Sequence, residues 1–297
     1  MKLSLERVQQ VARQTGFNVV TVEKVIHLMN LLEAIDGHPV LRGKFALKGG
    51  TALNLFVFPL PRLSVDIDLN LVEPLSREKL EAIRPRFEQA FEAVFRREEF
   101  NIRKSPTEHA GGKWRLGYRS VAGAASNLEV DVNYVLRIPL WEPEVRDSAT
   151  LGEYAAKNVR VLSEAELAGG KLSALFSRAQ TRDLFDAHQL LTKRNLNHER
   201  LHIAFVVYGG FNRLDRQDDL GDEGESRRTP PTERHRPEFP GCPIGSGRDT
   251  VGTPYGRCGV AGQDSFTSDA ELEGAQRSYV SRIVENTHTL GNNPAHA

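Results

Sequence analysis

The stretch "LKGGTALNLFVFPLPRLSVDIDLN", residues 47–70, places a glycine pair between two apolar runs and then sets two aspartates one residue apart among Val, Ile and Leu. The wider segment "RLSVDIDLNLV" alternates apolar and polar residues, and a period of two predicts a β-strand that buries one face. Asp66 and Asp68 then share the other face. Carboxylates this close repel each other unless a cation lies between them. The strand therefore predicts a charged site beside the core.

A later run, "NLEVDVNYVLRI", repeats the alternation and centres Asp131 on its polar face. On a strand next to the first, Asp131 would supply a third carboxylate. Oxygen ligands on rigid strands suit Mg²⁺ or Mn²⁺, which share their coordination shell with substrate phosphates. Two such ions can activate a hydroxyl and neutralise a leaving pyrophosphate. The predicted metal ligands are Asp66, Asp68 and Asp131.

The glycine pair predicts a phosphate-binding turn. Gly49 and Gly50 precede Thr51 at the start of a short helix, where backbone N–H groups can approach a phosphate closely. Lys48 and Ser64 are candidates for further phosphate contacts. A glycine pair alone usually marks only a turn, and an isolated D-x-D usually marks a solvated face, so the interpretation depends on their combination.

The rest of the first 212 residues predicts an α+β fold. Residues 1–40 are helical, with Gly37 as a stop signal, and "SREKLEAIRPRFEQAFEAVFRREEF" predicts a helix capped by Ser76 with a kink or break at Pro85. The runs "FNIRKS", "KWRLGYRS" and "NLEVDVNYVLRI" predict strands. Trp114 and Tyr118 in the second run favour core packing, with an RNA-stacking platform as the alternative. Residues 160–208 are helical again.

Composition limits the function classes. The 39 basic and 39 acidic residues give zero formal net charge, which argues against a broad polybasic surface but leaves room for a local basic pocket. The amino terminus lacks a secretory h-region, and the longest apolar run, residues 45–60, is interrupted by Lys48, two glycines and Pro59. Only two cysteines occur, Cys242 and Cys258, so no disulfide framework is indicated. We expect a cytoplasmic protein with no membrane partner.

Residues 213–297 differ from the preceding chain. Only 12 of these 85 residues are Leu, Ile, Val or Phe, a fraction below the roughly 20% typical of folding sequences. One interpretation is a disordered tail, and another is that the reading frame shifted near residue 215. We place no function there.

The segment "KLSALFSRAQTRDLFDAHQLL" supplies a second candidate cluster. On one continuous helix, Asp183 would fall in the apolar stripe, where a carboxylate needs a partner, while Lys171 and Arg178 would share another face. Both cations suit phosphate groups. The alternative is that the helix breaks at "AQT", so that Thr181 caps a second helix and Asp183 is a favourable first-turn acid.

Five segments, "KGGTAL", "RLSVDIDL", "KWRLGYRS", "LEVDVNYVLRIPL" and "KLSALFSRAQTRDLFDAHQLL", resemble the AbiEii family of bacterial nucleotidyltransferase toxins, within the DNA polymerase β-like nucleotidyltransferase superfamily. The resemblance covers roughly residues 20–212. It implies a mixed sheet with flanking helices, followed by a helical domain. It further implies Mg²⁺-dependent transfer of a nucleotide from an NTP to an acceptor, which can be the 3′ end of tRNA in relatives. Many members act in abortive-infection toxin–antitoxin pairs, so a cognate antitoxin is implied.

The resemblance also assigns residues. Gly49 and Gly50 correspond to the phosphate-binding pair, and the three aspartates above correspond to the metal-binding positions. The family's later K…RDxxD motif is matched here by Lys171, Asp183 and Asp186. We accordingly divide the chain into an N-terminal helical segment (1–40), a catalytic core (41–145), a helical domain (146–212) and a tail (213–297). The C-terminal third departs from the family pattern.

Three hypotheses remain open at this point. The first is the nucleotidyltransferase with an RNA acceptor, in which Asp131 can also help to deprotonate the acceptor hydroxyl. The second is a catalytically inactive module of the same fold that binds NTP or a partner. The third is transfer to a protein hydroxyl.

Overall fold

The computed structural model describes residues 3–104 and 111–219, all within one compact unit, Met1–Gly221. The predictions for residues 220–297, including both cysteines, lie outside the described residues. So does most of the segment to which the frame-shift hypothesis applies.

A mixed sheet forms the centre of the described chain. Its strands are β1 Phe45–Lys48, β2 Asp66–Leu71, β3 Asn101–Lys104, β4 Gly111–Arg119, β5 Ala125–Asn133, β6 Glu144–Arg146 and β7 Val159–Val161. They lie in the order β3-β4-β5-β2-β1-β7-β6. The pairs β2–β5 and β1–β7 are parallel and the other neighbours antiparallel. The central position of β2 places the D-x-D segment between β1 and β5.

Helices flank this sheet. They are α1 Leu5–Thr15, α2 Val19–Gly37, α3 Gly49–Ala52, α4 Arg77–Arg97, α5 Glu164–Arg178, α6 Thr181–Lys193 and α7 His198–Asp219, and a π-helical turn, Leu53–Val57, continues α3. Ser76 caps α4 by accepting a hydrogen bond from the Lys79 N–H, as predicted. The α+β architecture is therefore confirmed.

One face of the sheet is core. Trp114 and Val130 are fully buried there, and the Phe91 ring of α4 lies 5.6 Å from the Trp114 ring and 4.9 Å from Phe45. Tyr118 is also buried, so core packing is confirmed for both aromatic residues and the stacking platform is excluded. The alternate residues of β2, β4 and β5 lie on the opposite side, which we call the open face.

Helix α2 is buried around most of its circumference, including Leu28, Leu31 and Glu23, because it contacts α4, β5 and β7 at once. Two local predictions need correction. Helix α4 runs through Pro85 without a break. The prediction of a break at Pro85 was wrong. The free energy gained by burying Phe87, Phe91 and Phe95 outweighs the cost of losing one helical hydrogen bond. Strands β6 and β7 were not predicted, since three-residue strands carry almost no periodic signal.

Candidate active site

The sheet brings the three predicted carboxylates to one face. In the parallel pairing of β2 with β5, Asp68 lies opposite Asp131, and Asp66 lies opposite Glu129. Residues in register on adjacent strands share a face, so all four acidic side chains lie on the open face. Asp131 is exposed, while Asp66 and Asp68 are half-buried.

Charge is crowded around Asp68. Burial raises the pKa of the Asp68 carboxyl, Lys48 opposes this shift, and the negative charges of Asp66 and Asp131 add to it. Lys48 lies directly across the β1–β2 pairing from Asp68. Burial lowers the pKa of the Lys48 amine, while Asp68 and Asp131 act in the opposite direction. A cation placed among these carboxylates would relieve their mutual repulsion.

The donor chemistry of this cluster fits a divalent metal ion. Three carboxylates from two rigid strands offer the oxygen ligands that Mg²⁺ prefers, and their crowding favours an added positive charge. In the described part of the chain, no three acidic, His or Cys side chains already converge as a formed metal cage. The fit therefore rests on the shared face and on the excess negative charge.

The glycine turn packs directly against the D-x-D strand. Gly49 has a φ of +74°, and a Cβ atom at this position would lie 2.3 Å from Oδ2 of Asp68. A Cβ atom on Gly50 would lie 3.0 Å from Oγ of Ser64 and 3.1 Å from Nη2 of Arg62. Only glycine satisfies both the backbone conformation and the contact at position 49. The glycine turn therefore lies against the Asp68 carboxylate.

Thr51 and Ser64 flank this turn in different ways. The Thr51 side chain is fully buried, and its hydroxyl donates a hydrogen bond of 2.5 Å to the Asp66 carbonyl oxygen. That bond fastens the start of α3 to β2, so any phosphate contact by Thr51 falls to its backbone N–H. Ser64 is half-buried and its hydroxyl lies against Gly50.

A buried network of ion pairs and hydrogen bonds supports the glycine turn. Nζ of Lys171 in α5 lies 2.9 Å from Oδ1 of Asp183 and 3.0 Å from Oδ2 of Asp186, both in α6. Both carboxylates are completely buried. Asp186 also accepts bonds of 2.8 and 2.5 Å from Arg62 and 3.1 Å from Asn54. Because Asn54 also donates to the Gly50 carbonyl oxygen at 2.8 Å, the network joins α6 to the glycine turn.

Asp183 is held by two cations. Nε of Arg178 donates to its Oδ2 at 2.7 Å, in addition to the bond from Lys171. Burial alone would raise the pKa of Asp183, but the hydrogen bonds and charges of Arg178 and Lys171 outweigh it, and the pKa lies below its ordinary value. Lys171 has three N–H donors, and the two aspartates use two of them.

The helix break at "AQT" is confirmed. Helix α5 ends at Arg178, Ala179 adopts a left-handed conformation with φ of 51°, and α6 begins at Thr181. The N-cap is Gln180 rather than Thr181. The break does not leave Asp183 as a simple first-turn acid, because the turn folds Arg178 and Lys171 back onto its carboxylate.

Arg62 and Asn54 were missed by the sequence analysis. Arg62 opens the alternating segment "RLSVDIDLNLV" and Asn54 lies in the apolar run before it, but neither was singled out, and both reach Asp186 across more than 120 residues of sequence. The one available signal was the placement of a carboxylate, Asp183, on the apolar stripe of the segment "KLSALFSRAQTRDLFDAHQLL". Buried carboxylates require cationic or hydrogen-bonding partners from elsewhere in the fold.

Comparisons with known proteins place the chain beside a family model and a solved structure. The family model for the "Nucleotidyl transferase AbiEii toxin, Type IV TA system" matches residues 30–246, more than half of the chain. The search of curated proteins gave no match. Among solved structures, the chain resembles MenT4, a nucleotidyltransferase toxin from Mycobacterium tuberculosis H37Rv, with 16% identity, a TM-score of 0.54 and 73% of each chain covered. At this identity the likeness shows a shared fold.

Proposed function

We propose that this chain, which belongs to the AbiEii family of nucleotidyltransferase toxins of type IV toxin–antitoxin systems, transfers a nucleotide from an NTP to an acceptor hydroxyl in a Mg²⁺-dependent reaction. The acceptor we propose is RNA, at the 3′ end of tRNA. One observation carries the proposal: Asp68 and Asp131 lie in register on the open face, with Asp66 beside them and Gly49 packed against Asp68.

The chain's own residues divide the work between two sides of Asp68. On the β1 side, the backbone N–H groups of Gly49 and Gly50 and the amine of Lys48 bind the triphosphate. The half-exposed Arg178 side chain adds positive charge near the carboxylates, since its pKa is raised by the hydrogen bond to Asp183 and also by the charges of Asp68 and Asp66. Lys171 contributes charge from beneath the turn.

Mg²⁺ bound by Asp66, Asp68 and Asp131 would stabilise negative charge that develops on the transferring phosphoryl group. In the transfer itself, the acceptor hydroxyl oxygen forms a bond to the α-phosphorus. The bond from that phosphorus to the oxygen bridging to the β-phosphate breaks, and pyrophosphate leaves. The proton of the acceptor hydroxyl passes to the exposed Asp131 carboxylate and then to water.

Membership of a toxin–antitoxin family implies an antitoxin, and we propose that this chain has a cognate antitoxin as its partner. In the described residues, no helix is long and apolar enough to cross a membrane. We propose that the protein acts in the cytoplasm, and that residues 41–145 form its catalytic core and residues 146–212 its helical domain.

Labelled NTPs test the proposal directly. The purified full chain is incubated with Mg²⁺ and each α-³²P-labelled NTP, together with total tRNA or cell protein, beside an Asp66→Ala, Asp68→Ala variant. We expect label in RNA with one preferred NTP and none with the variant. Label in protein would replace the RNA acceptor with a protein hydroxyl. Binding of NTP without any transfer would overturn the enzyme and indicate the inactive module.

Gly49→Ala should damage the site through sterics alone. The added Cβ atom would lie 2.3 Å from Oδ2 of Asp68, so the carboxylate would have to move. The left-handed backbone would cost a further ~1–2 kcal/mol. We expect transfer to fall by roughly 100-fold, comparable to the loss of one preorganised contact, with a lowered melting temperature.

Gly209→Ala in α7 is the matched control. A Cβ atom there meets nothing within 4 Å, so the change should raise helix stability by about 0.5–1 kcal/mol and leave transfer unchanged. Steady-state transfer rates and thermal melting curves measure both variants. Wild-type transfer by Gly49→Ala would show that the close approach to Asp68 is unnecessary.

A further inference from the structure

The open face continues past the carboxylates as a basic surface. Lys113 of β4 lies opposite Asp131, and Arg115 lies opposite Glu129. Across the next pairing, Arg103 of β3 lies opposite Arg115, and Arg119 lies farther along β4 on the same face. The four cations, which we call the basic strip, are all exposed: Arg103, Lys113, Arg115 and Arg119.

The strip holds more positive charge than its neighbours neutralise. Lys113 and Arg115 each lie 3.2 Å from Glu129, so one carboxylate serves two cations. Arg103 makes no ion pair within the residues that the structure describes. Two arginines directly opposite each other on adjacent strands destabilise a sheet. Their juxtaposition on an exposed face favours an anionic ligand that bridges them.

The basic strip also lies on the side of the metal-binding carboxylates from which the acceptor must approach. The strand order β4-β5-β2-β1 places Lys48 and the glycine turn on one side of Asp68 and the strip on the other. In phosphoryl transfer, the attacking and leaving oxygens lie roughly in line on opposite sides of the phosphorus. If the triphosphate occupies the β1 side, the acceptor must approach over β5 and β4.

Spacing along the strand suits a repeating anion. Lys113, Arg115 and Arg119 lie on the same face of β4, so the first two are about 7 Å apart and the last two, with Gly117 between them, about 14 Å apart. Arginine guanidinium groups bind phosphate oxygens in bidentate fashion. The strip therefore presents cations in a row that leads toward Asp131.

We propose that the basic strip binds the phosphodiester backbone of a nucleic-acid acceptor and directs its terminal hydroxyl to Asp131. This proposal rests on the proposed function and assigns one polarity to the open face: triphosphate over β1, acceptor backbone over β4 and β3. Glu129 acts as the counter-ion that the incoming phosphates replace.

Binding is tested first, without NTP, so that the result does not depend on transfer. Fluorescence anisotropy with a labelled single-stranded oligoribonucleotide compares the full-length wild type with Arg103→Gln, Arg115→Gln. We expect roughly tenfold weaker binding and a slope of log affinity against log salt that is shallower by about 1.4, since each lost phosphate contact removes about 0.7. An oligodeoxyribonucleotide of the same sequence shows whether the basic strip binds only the phosphodiester backbone.

The matched control removes the same charge elsewhere. Arg77→Gln, Arg96→Gln alters two exposed α4 arginines that are paired with Glu81 and Glu92, on the helix that covers the opposite face. Its RNA affinity and salt slope should equal those of the wild type. Equal behaviour of both double variants, or no loss in either, would overturn the strip.

Transfer kinetics then separate the two proposals. In the strip variant we expect KM for the RNA acceptor to rise about tenfold, with KM for the NTP and kcat at saturating RNA unchanged. Wild-type kinetics of the strip variant on RNA would refute the strip but leave the nucleotidyltransferase intact. Label found in protein rather than RNA would also refute it. Failure of the wild type to transfer to any acceptor, while it still binds RNA through the strip, would refute the enzyme alone.

Discussion

Asp68→Asn is expected to lower kcat for nucleotide transfer by about 1,000-fold or more while the protein stays folded. Asp68 lies at the centre of the cluster, opposite both Lys48 and Asp131. An amide oxygen is a poor ligand for Mg²⁺ beside a carboxylate, and the metal supplies several kcal/mol of charge stabilisation in the transition state. Each 1.36 kcal/mol of that stabilisation corresponds to a factor of ten in rate.

We expect Asp68→Asn to be as thermally stable as the wild type in the absence of Mg²⁺, or more stable. Asn fills the space of Asp and removes one of three crowded negative charges, which repel one another in the metal-free protein. Thermal melting with and without Mg²⁺ gives a readout independent of activity. We expect Mg²⁺ to raise the melting temperature of the wild type through binding to the folded state, and to leave Asp68→Asn unchanged.

Asp147→Asn controls for the loss of a carboxylate as such. Asp147 is an exposed residue paired with Lys157 at 2.9 Å, and exposed ion pairs contribute little to stability, so the change should leave the melting temperature nearly unchanged and kcat unaffected. A Mg²⁺-induced stabilisation that survives in Asp68→Asn, together with wild-type turnover, would remove Asp68 from the metal site.

The sequence predicted the carboxylate face well because two strands carry the whole signal. A strict period of two in β2 and β5 fixes which side chains share a face, and Asp66, Asp68 and Asp131 follow from that period alone. Their relative placement still required that β2 and β5 be neighbours. The sequence suggested this adjacency only through the resemblance to a known family.

The supports behind the site could not be predicted, for a different physical reason. Asp183 was a candidate because a buried carboxylate demands partners, Lys171 because a cation suits phosphate groups, and Asp186 through the family resemblance. Periodicity does not say which side chains meet. Arg62 and Asn54 reach Asp186 from a loop and a π-helical turn, two structures without a sequence period. The prediction of one continuous helical face through residues 171–190 failed because Ala179 adopts a left-handed conformation, which its side chain does not favour.

The basic strip had a partial sequence signal. The run "KWRLGYRS" alternates cations with apolar residues, which places Lys113, Arg115 and Arg119 on one face. Their position beside Asp131 depends on the antiparallel pairing of β4 with β5. Arg103 comes from a separate short strand, so only the folded sheet brings it opposite Arg115.

The second large effect concerns stability. Asp186→Asn should destabilise the described fold by about 3–5 kcal/mol, because it leaves the half-buried Arg62 without its carboxylate partner and the buried Lys171 with Asp183 alone. For a chain of this size, that loss corresponds to a melting temperature lower by roughly 6–20 °C. Glu92→Gln, which breaks the exposed pair with Arg96 in α4, is the control and should cost no more than about 0.5 kcal/mol. Chemical denaturation measures both variants.

Coupling between Lys171 and Asp186 tests whether the network acts as a unit. In a double-mutant cycle with Lys171→Met, residues in direct contact show interaction energies of about 0.5–3 kcal/mol. We therefore expect Lys171→Met, Asp186→Asn to be less destabilised than the sum of the single variants. Additivity within experimental error would mean that the 3.0 Å contact contributes no stability.

The same variants separate support from catalysis. Lys171 acts on the charge of Asp68, whereas Asp186 acts on the site through its contacts with Arg62, Asn54 and Lys171. Measured well below the melting temperature of each variant, Lys171→Met should lower kcat roughly tenfold more than Asp186→Asn, because only the former removes positive charge next to the transferring phosphoryl group. Equal losses of kcat would instead make Lys171 a structural residue whose role is to hold α6 against the glycine turn.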